Sequence, residues 1–201
     1  QAGGSAIVNF ADGGTAGSYS QFEDNAKLLN GSNAVAEYAF SFDVNVVDIT
    51  DATNSYIGGS SANEVFVGYD LVRKTVFVAK AGPWGYNSAI DAANIIAEAA
   101  FDLQLNTWYD FKFVLGDTTA KIYVDGELVL ETAIPEPTGW FIYYPKNNVT
   151  YYDNVEFWYN GEKQTSMSAF ASVGAGNWTA LGPVGNPGYT LTNDAPVGPV
   201  D

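Results

Sequence analysis

The 201-residue sequence has no cysteine, no histidine and one methionine, and only 15% of its residues are charged, against about 25% in an ordinary soluble domain. Without Cys or His there is no disulfide framework and no zinc site of the usual Cys/His kind. A Ser-His-Asp or Cys-His nucleophile and a histidine-held haem are excluded as well. Positive charge is also scarce: 8 Lys and Arg against 23 Asp and Glu leave a net charge of -15. That field opposes a phosphate backbone, so nucleic acid is not an expected partner. No apolar run approaches the roughly 20 residues that span a bilayer, and no membrane insertion is expected. The start, Gln1-Ala2-Gly3-Gly4, lacks a basic segment followed by an apolar one, as expected of a chain whose signal peptide has been removed. Missing cysteines and the Asn/Thr/Gly/Tyr-rich composition fit a secreted or cell-surface bacterial protein.

What the chain has in abundance is aromatic: 5 Trp, 13 Tyr and 12 Phe. With 47% hydrophobic residues it is not a disordered chain. Its length suffices to bury roughly 70% of the unfolded surface around one core.

Period-two alternation dominates. It predicts strands in residues 36–44, 64–69, 75–80, 108–115, 121–124, 127–131, 140–144 and 150–159. Residues 70–74 read as a hairpin loop. Asp125-Gly126 reads as a tight turn, because an Asp-Gly pair accepts the positive φ that two-residue hairpins need. The alanine-rich stretch Ser88–Ala100 predicts a short helix in a loop, with Ser88 as its start. From Gly182 onward prolines and glycines replace alternation. The expected organisation is therefore one β-sandwich module over residues 1–181, then a tail or linker over 182–201, within a larger protein. The module is expected to be monomeric.

Asn106-Thr107-Trp108-Tyr109-Asp110-Phe111-Lys112-Phe113 and Ala120-Lys121-Ile122-Tyr123-Val124-Asp125-Gly126-Glu127 resemble segments of the concanavalin A-like (laminin G-like) jelly-roll superfamily. There a Trp opens a strand and the next hairpin runs hydrophobic-x-Val-Asp-Gly-Glu. Tyr151–Phe157 is similar to its late strand and Ala39–Val44 to an early one. The resemblance implies an all-β, two-sheet antiparallel β-sandwich (jelly roll). It also places Trp108 in the core as scaffold. On function it implies less, since lectins, polysaccharide-binding modules, glycosidases, lyases and adhesion domains share this fold.

Catalysis finds little support in the residues. The Glu-x-Asp-x-x-Glu triple of the glucanases on this fold is absent. Phe77–Asn87 is loosely similar to a segment of alginate-type lyases. Those enzymes also use a His this chain lacks and several Arg, where this chain has only Arg73. A divergent lyase or hydrolase would have to bring two carboxylates, or a Tyr and a Lys, together in a groove.

Sugar rings present flat C–H faces to aromatic side chains and hydroxyls to short polar groups, so a binding module needs exposed aromatics on loops beside amides. The turn Gly82–Asn87 offers Trp84, Tyr86 and Asn87; the segment Trp140–Asn148 offers Tyr143, Tyr144, Lys146 and Asn147. The structural alternative is that these rings fill the core or cap the sandwich, and that the domain is adhesive. Trp178 reads as a staple for the tail. Two rings on a short turn suit a curved α-glucan such as starch better than a flat β-glucan. Structural calcium is a candidate at Asp48, Asp51 and Asn54, or at Asp12, Glu23, Asp24 and Asp153, although neither set has EF-hand spacing.

Overall fold

The computed structural model describes residues 7–8, 20–28, 36–61, 65–80, 92–135, 139–163, 169–173 and 178–181. They form two antiparallel sheets. Strands are numbered in chain order. The first sheet runs β1 (Ile7–Val8), β12 (Asn148–Tyr159), β3 (Tyr38–Ile49), β8 (Trp108–Leu115), β9 (Thr119–Val124) and β10 (Glu127–Ala133), with β13 (Glu162–Lys163) also paired to β12. The second runs β15 (Trp178–Leu181), β14 (Ala169–Val173), β2 (Ser20–Leu28), β11 (Gly139–Lys146), β4 (Tyr56–Ser61), β5 (Val65–Asp70), β6 (Thr75–Lys80) and β7 (Ile95–Ala100). Two sheets with non-consecutive neighbours make the expected β-sandwich, with its edges set by topology rather than by chain order.

The core follows from alternation. Tyr38, Phe40, Phe42, Val44 and Val46 of β3 are buried with Phe111, Phe113 and Leu115 of β8. They share one cluster with Ile57, Val67, Tyr69, Val76 and Val78 from the second sheet. Phe42 and Phe111 stack across the strand pair with centroids 6.0 Å apart. Tyr69 brings its hydroxyl into this interior with both bonding capacities in use: it donates to the Phe101 carbonyl (2.7 Å) and accepts from the Leu103 amide (3.2 Å). Burial, countered in part by the Leu103 bond, pushes its phenol up to about 12.

A second cluster, Tyr56, Phe66, Phe77 and Ala79, lies apart from that core, on the opposite parity of β4, β5 and β6. It depends on two glycines paired across β4 and β5. A Cβ on Gly68 would lie 2.3 Å from the Ile57 carbonyl oxygen and 3.1 Å from the Phe77 ring; one on Gly58 would lie 2.6 Å from the Val67 carbonyl oxygen.

The turns match their sequences. Asp125 and Gly126 have φ of 51° and 79° between the paired Val124 and Glu127, the positive-φ two-residue hairpin that Asp-Gly predicts. At the β5–β6 hairpin, Asp70 Oδ1 accepts the amides of Val72 and Arg73, both at 2.9 Å. In β12 the register slips by one residue between Asp153, which faces Asp43, and Glu156, which faces Ser41. Asn154 in the slip has φ 49°. This is a β-bulge.

Two expectations need correction. Residues 95–100 form not a helix but the strand β7, preceded by a single 3-10 turn at Ala92–Asn94. Ile95 packs on the Tyr56–Phe66–Phe77 cluster and Ile96 and Ala99 on the main core, so pairing with β6 overrides alanine's helical preference. Residues 88–91 lie outside the described residues. Trp108 is not core either: it stands opposite Asn45 on the outer parity of β8, 40% exposed.

Candidate functional site

Trp84, Tyr86 and Asn87 lie outside the described residues, as do Asp12 and the tail from residue 182. Tyr143, Tyr144 and Lys146 fall on β11, an interior strand of the second sheet, opposite Gly59, Gly58 and Tyr56 of β4.

Asn147 is corrected outright. It is 6% exposed, and its Nδ2 donates to the Asn54 carbonyl at 2.7 Å and, at 3.4 Å, to Asp51 Oδ2. Its own carbonyl accepts from the Thr50 amide (2.9 Å) and Ser55 Oγ (3.1 Å). It fastens the β3–β4 connection to β12 and has no amide to spare for a sugar. The same turn engages two of the carboxylates weighed for calcium, Asp48 and Asp51. Asp51 Oδ1 accepts the Thr53 amide and hydroxyl at 2.8 and 2.7 Å, and Asp48 Oδ1 accepts the Ile49 amide at 2.9 Å. Among the described residues no group of three or more acidic side chains could hold a metal.

The structure instead builds a groove on the outer face of the first sheet. The registers of β12, β3, β8 and β9 set it out in rungs. On one rung Glu156, Ser41, Lys112 and Tyr123 stand side by side. On the next, Trp158 is followed by Ala39, Val114 and Lys121. On the other side Asp43 faces Asp110, and one rung beyond, Asn45 faces Trp108. Successive rungs on one face are about 6.6 Å apart, so Trp158 and Trp108 stand roughly 20 Å apart along it. The cavity beside Trp158 and Tyr123 measures about 450 Å³, and an adjoining one of about 300 Å³ runs between Asp43, Asp110, Asn154 and Glu156.

Polar contacts hold this surface. Trp158 Nε1 donates to Ser41 Oγ at 3.2 Å, fixing the indole's plane. Lys112 Nζ lies over the ring. Asn154 Nδ2 donates to Asp43 Oδ2 at 2.6 Å, and Lys163 pairs with Glu156. Asp125 Oδ1 accepts the Asp110 amide at 2.9 Å. Although Asp110 is exposed as a residue, its carboxyl is held above the ordinary carboxylate range. Partial desolvation is the largest cause, followed by the charges of Asp43, Asp125 and Glu156, with Lys112 opposing. The groove thus offers indole and phenol faces, a hydroxyl, an amide, ammonium groups and carboxylates within a few rungs.

Trp108 was within reach of sequence reasoning. In residues 108–115 the even positions, Trp108, Asp110 and Lys112, alternate with Tyr109, Phe111 and Phe113, and that parity puts Trp108 with the polar face. Trp158 was not, because the bulge intervenes.

No protein-family model and no curated protein sequence matches this chain. Solved structures do. The carbohydrate-binding module CBM66 from Bacillus subtilis is similar at a TM-score of 0.53 and 16% identity, over 76% of this chain and 94% of that one. The carbohydrate recognition domain of Emp47p is similar at 0.47 and 10% identity, over 79% and 89%. The alginate lyase from Corynebacterium sp. follows at 0.40 and 11% identity, over 69% and 62%. At these identities the likeness is one of fold alone, that of a β-sandwich.

Proposed function

We propose that this domain is a carbohydrate-binding module that holds a polysaccharide along the outer face of its first sheet. The observation that carries the reading is the groove at Trp158. An indole locked by Ser41 presents a flat apolar surface, and Tyr123, Lys112 and Asn154 stand where a ring's hydroxyls would project. The half-exposed Trp108 extends the same face, long enough for several sugar units. Fold likeness to CBM66 from Bacillus subtilis supports the reading. On it, the domain works outside the cell as a monomeric module of a larger protein. Among the described residues no helix is long and apolar enough to cross a membrane. Should the Trp84–Tyr86 turn add a second contact, we expect an α-glucan such as starch there.

Affinity electrophoresis against amylopectin, xylan, xyloglucan, β-glucan and alginate tests this. At least one neutral glycan should retard the domain, and Trp158→Ala should abolish the retardation; a domain retarded by none of these and by no amino-sugar polymer is not a glycan binder. Alginate should be among the weakest, since a protein of charge -15 repels a polyuronate.

One observation favours a second reading. Asp43 and Asp110 are direct cross-strand neighbours, which sets their Cβ atoms about 5 Å apart. Retaining glycosidases work with two carboxyl groups about 5 Å apart, a spacing that side chains rooted this close can adopt. Release of reducing ends from a bound glycan, lost in both Asp43→Asn and Asp110→Asn, would establish hydrolysis in place of binding alone.

A further inference from the structure

The groove that recommends sugar binding is also a place prepared for positive charge. The smaller cavity is walled by the carboxylates of Asp43, Asp110 and Glu156 with Lys112 as the one cationic side chain among its lining residues. From neighbouring elements Lys163 pairs with Glu156, and Lys121 of β9 is engaged with Glu131 of β10 at 3.5 Å. Asp43 accepts the amide of Asn154, whereas no hydrogen bond from a described residue reaches the Asp110 carboxylate. Beside these acids an ammonium already sits on the indole, that of Lys112, 4.5 Å from the ring centroid. An aromatic face flanked by carboxylates is the arrangement that attracts an alkylammonium group, by the ring's quadrupole and by charge together. One rung beyond the Asp43–Asp110 pair Asn45 is 1% exposed, and no donor from a described residue reaches its Oδ1. The Asp110 carboxyl is held above the ordinary range first by partial desolvation and then by the charges of Asp43, Asp125 and Glu156, with Lys112 opposing.

We infer that the preferred ligand of this groove is a cationic glycan, a polymer of amino sugars whose protonated amine takes the place Lys112 holds over Trp158 beside Asp43 and Asp110. The inference rests on the carbohydrate-binding reading and names the ligand class for that site. It differs from the α-glucan expected at the Trp84–Tyr86 turn, because starch carries no amine. Neutral hydroxyls would satisfy the groove's hydrogen bonds but leave its negative charge unanswered.

Three β-1,4-linked hexaoses that differ only at C2 separate the possibilities: a hydroxyl, an acetamido and an ammonium form. They are titrated calorimetrically into the intact domain at pH 6 and low salt. The ammonium hexaose should bind at least tenfold more tightly than the other two, and the advantage should shrink as salt rises. Asp43→Asn and Asp110→Asn should each remove most of it, while Glu127→Gln, on an exposed turn position outside the groove, should leave it unchanged. An ammonium form that binds no better than the hydroxyl form overturns the inference. So does an advantage that survives both Asp variants, which would be the attraction of the whole acidic surface. A neutral glycan held in a Trp158-dependent way without amine preference removes this inference and keeps the carbohydrate reading. Failure of every glycan removes both.

Discussion

Lys112 Nζ lies 4.5 Å above the centroid of the Trp158 ring, on the surface that would receive a ligand. Lysine and indole come from β8 and β12, strands separated by β3, and they are brought together by Ser41, which faces Lys112 in the register and accepts the Trp158 Nε1–H. The contact has a modest value of its own, about 0.5–1 kcal/mol at an accessible position, and it occupies one ring face. Lys112→Ala should therefore lower stability by no more than about 1 kcal/mol. It should also tighten binding of an ammonium-bearing oligosaccharide by roughly five- to tenfold, since it removes a like charge and uncovers the ring. Calorimetric titration of the variant measures this. Weaker binding would show that the lysine touches the ligand directly.

Asp110 gives a stability test of the groove's charge. Its carboxyl titrates above the ordinary range in the folded protein, so this group favours folding at acid pH and opposes it once ionised. The contribution is present below the unfolded carboxyl's pKa and is lost as pH rises through the higher folded one. Asp110→Asn should accordingly stabilise the domain at pH 7, by about 0.2–1 kcal/mol if relief of the like-charge pair with Asp43 dominates. Urea midpoints at pH 7 and pH 3 check it: the gain should be seen at the first and vanish at the second.

Tyr69 predicts the behaviour at the alkaline end. With its phenol pushed up to about 12, against 10.0 for an ordinary tyrosine, the folded state keeps a proton that the unfolded chain releases earlier. Stability from this group is complete below pH 10 and falls as pH climbs towards 12. Tyr69→Phe should remove that dependence. It should also cost about 1–3 kcal/mol at neutral pH, because the Phe101 carbonyl and the Leu103 amide both lose their partner in a buried setting. Denaturation curves of the two proteins at pH 7 and pH 11 separate these effects.

Gly68 should not tolerate a side chain. A methyl there would meet the Ile57 carbonyl oxygen at 2.3 Å and the Gly58 Cα at 2.9 Å, both backbone atoms that cannot turn aside. Gly68→Ala is expected to destabilise by about 1–3 kcal/mol, the usual cost of overpacking. Gly126→Ala should lose about 1–2 kcal/mol for a different reason, its φ of 79° in open space. Thermal melts distinguish the two if Gly126→Asn restores stability, as a residue tolerant of positive φ should.

Much of the sandwich could be read from the sequence because alternation and turn chemistry are local. Tyr38 to Val46 and Tyr109 to Leu115 announce their buried faces, and Asp125-Gly126 announces its turn. The alanines of 95–100 misled because their helical preference is intrinsic while their pairing with β6 is not. The binding face was harder. Lys112 and Tyr123 share the β8–β9 hairpin, but Ser41 and Glu156 come from strands far away in sequence, and the set meets only through register, which no local pattern specifies. Asn147 looked like a sugar-reading amide because burial of a polar residue leaves no mark on its neighbours in the chain. Trp158 shares its parity with Thr150, which is buried, so unbroken alternation through β12 would send the indole inward.

The slip at Asn154 therefore decides more than the course of one strand. A variant shortened by a single residue between Asp153 and Glu156 would lose the bulge and run as a regular strand with Asp153, Glu156 and Trp158 still on the outer face, whereas the full-length strand paired without its bulge would turn 156 and 158 towards the core. One surplus residue accommodated at Asn154 thus keeps the parity of everything after it, and the aromatic face of the groove depends on where the strand carries its extra residue as well as on which residues line it.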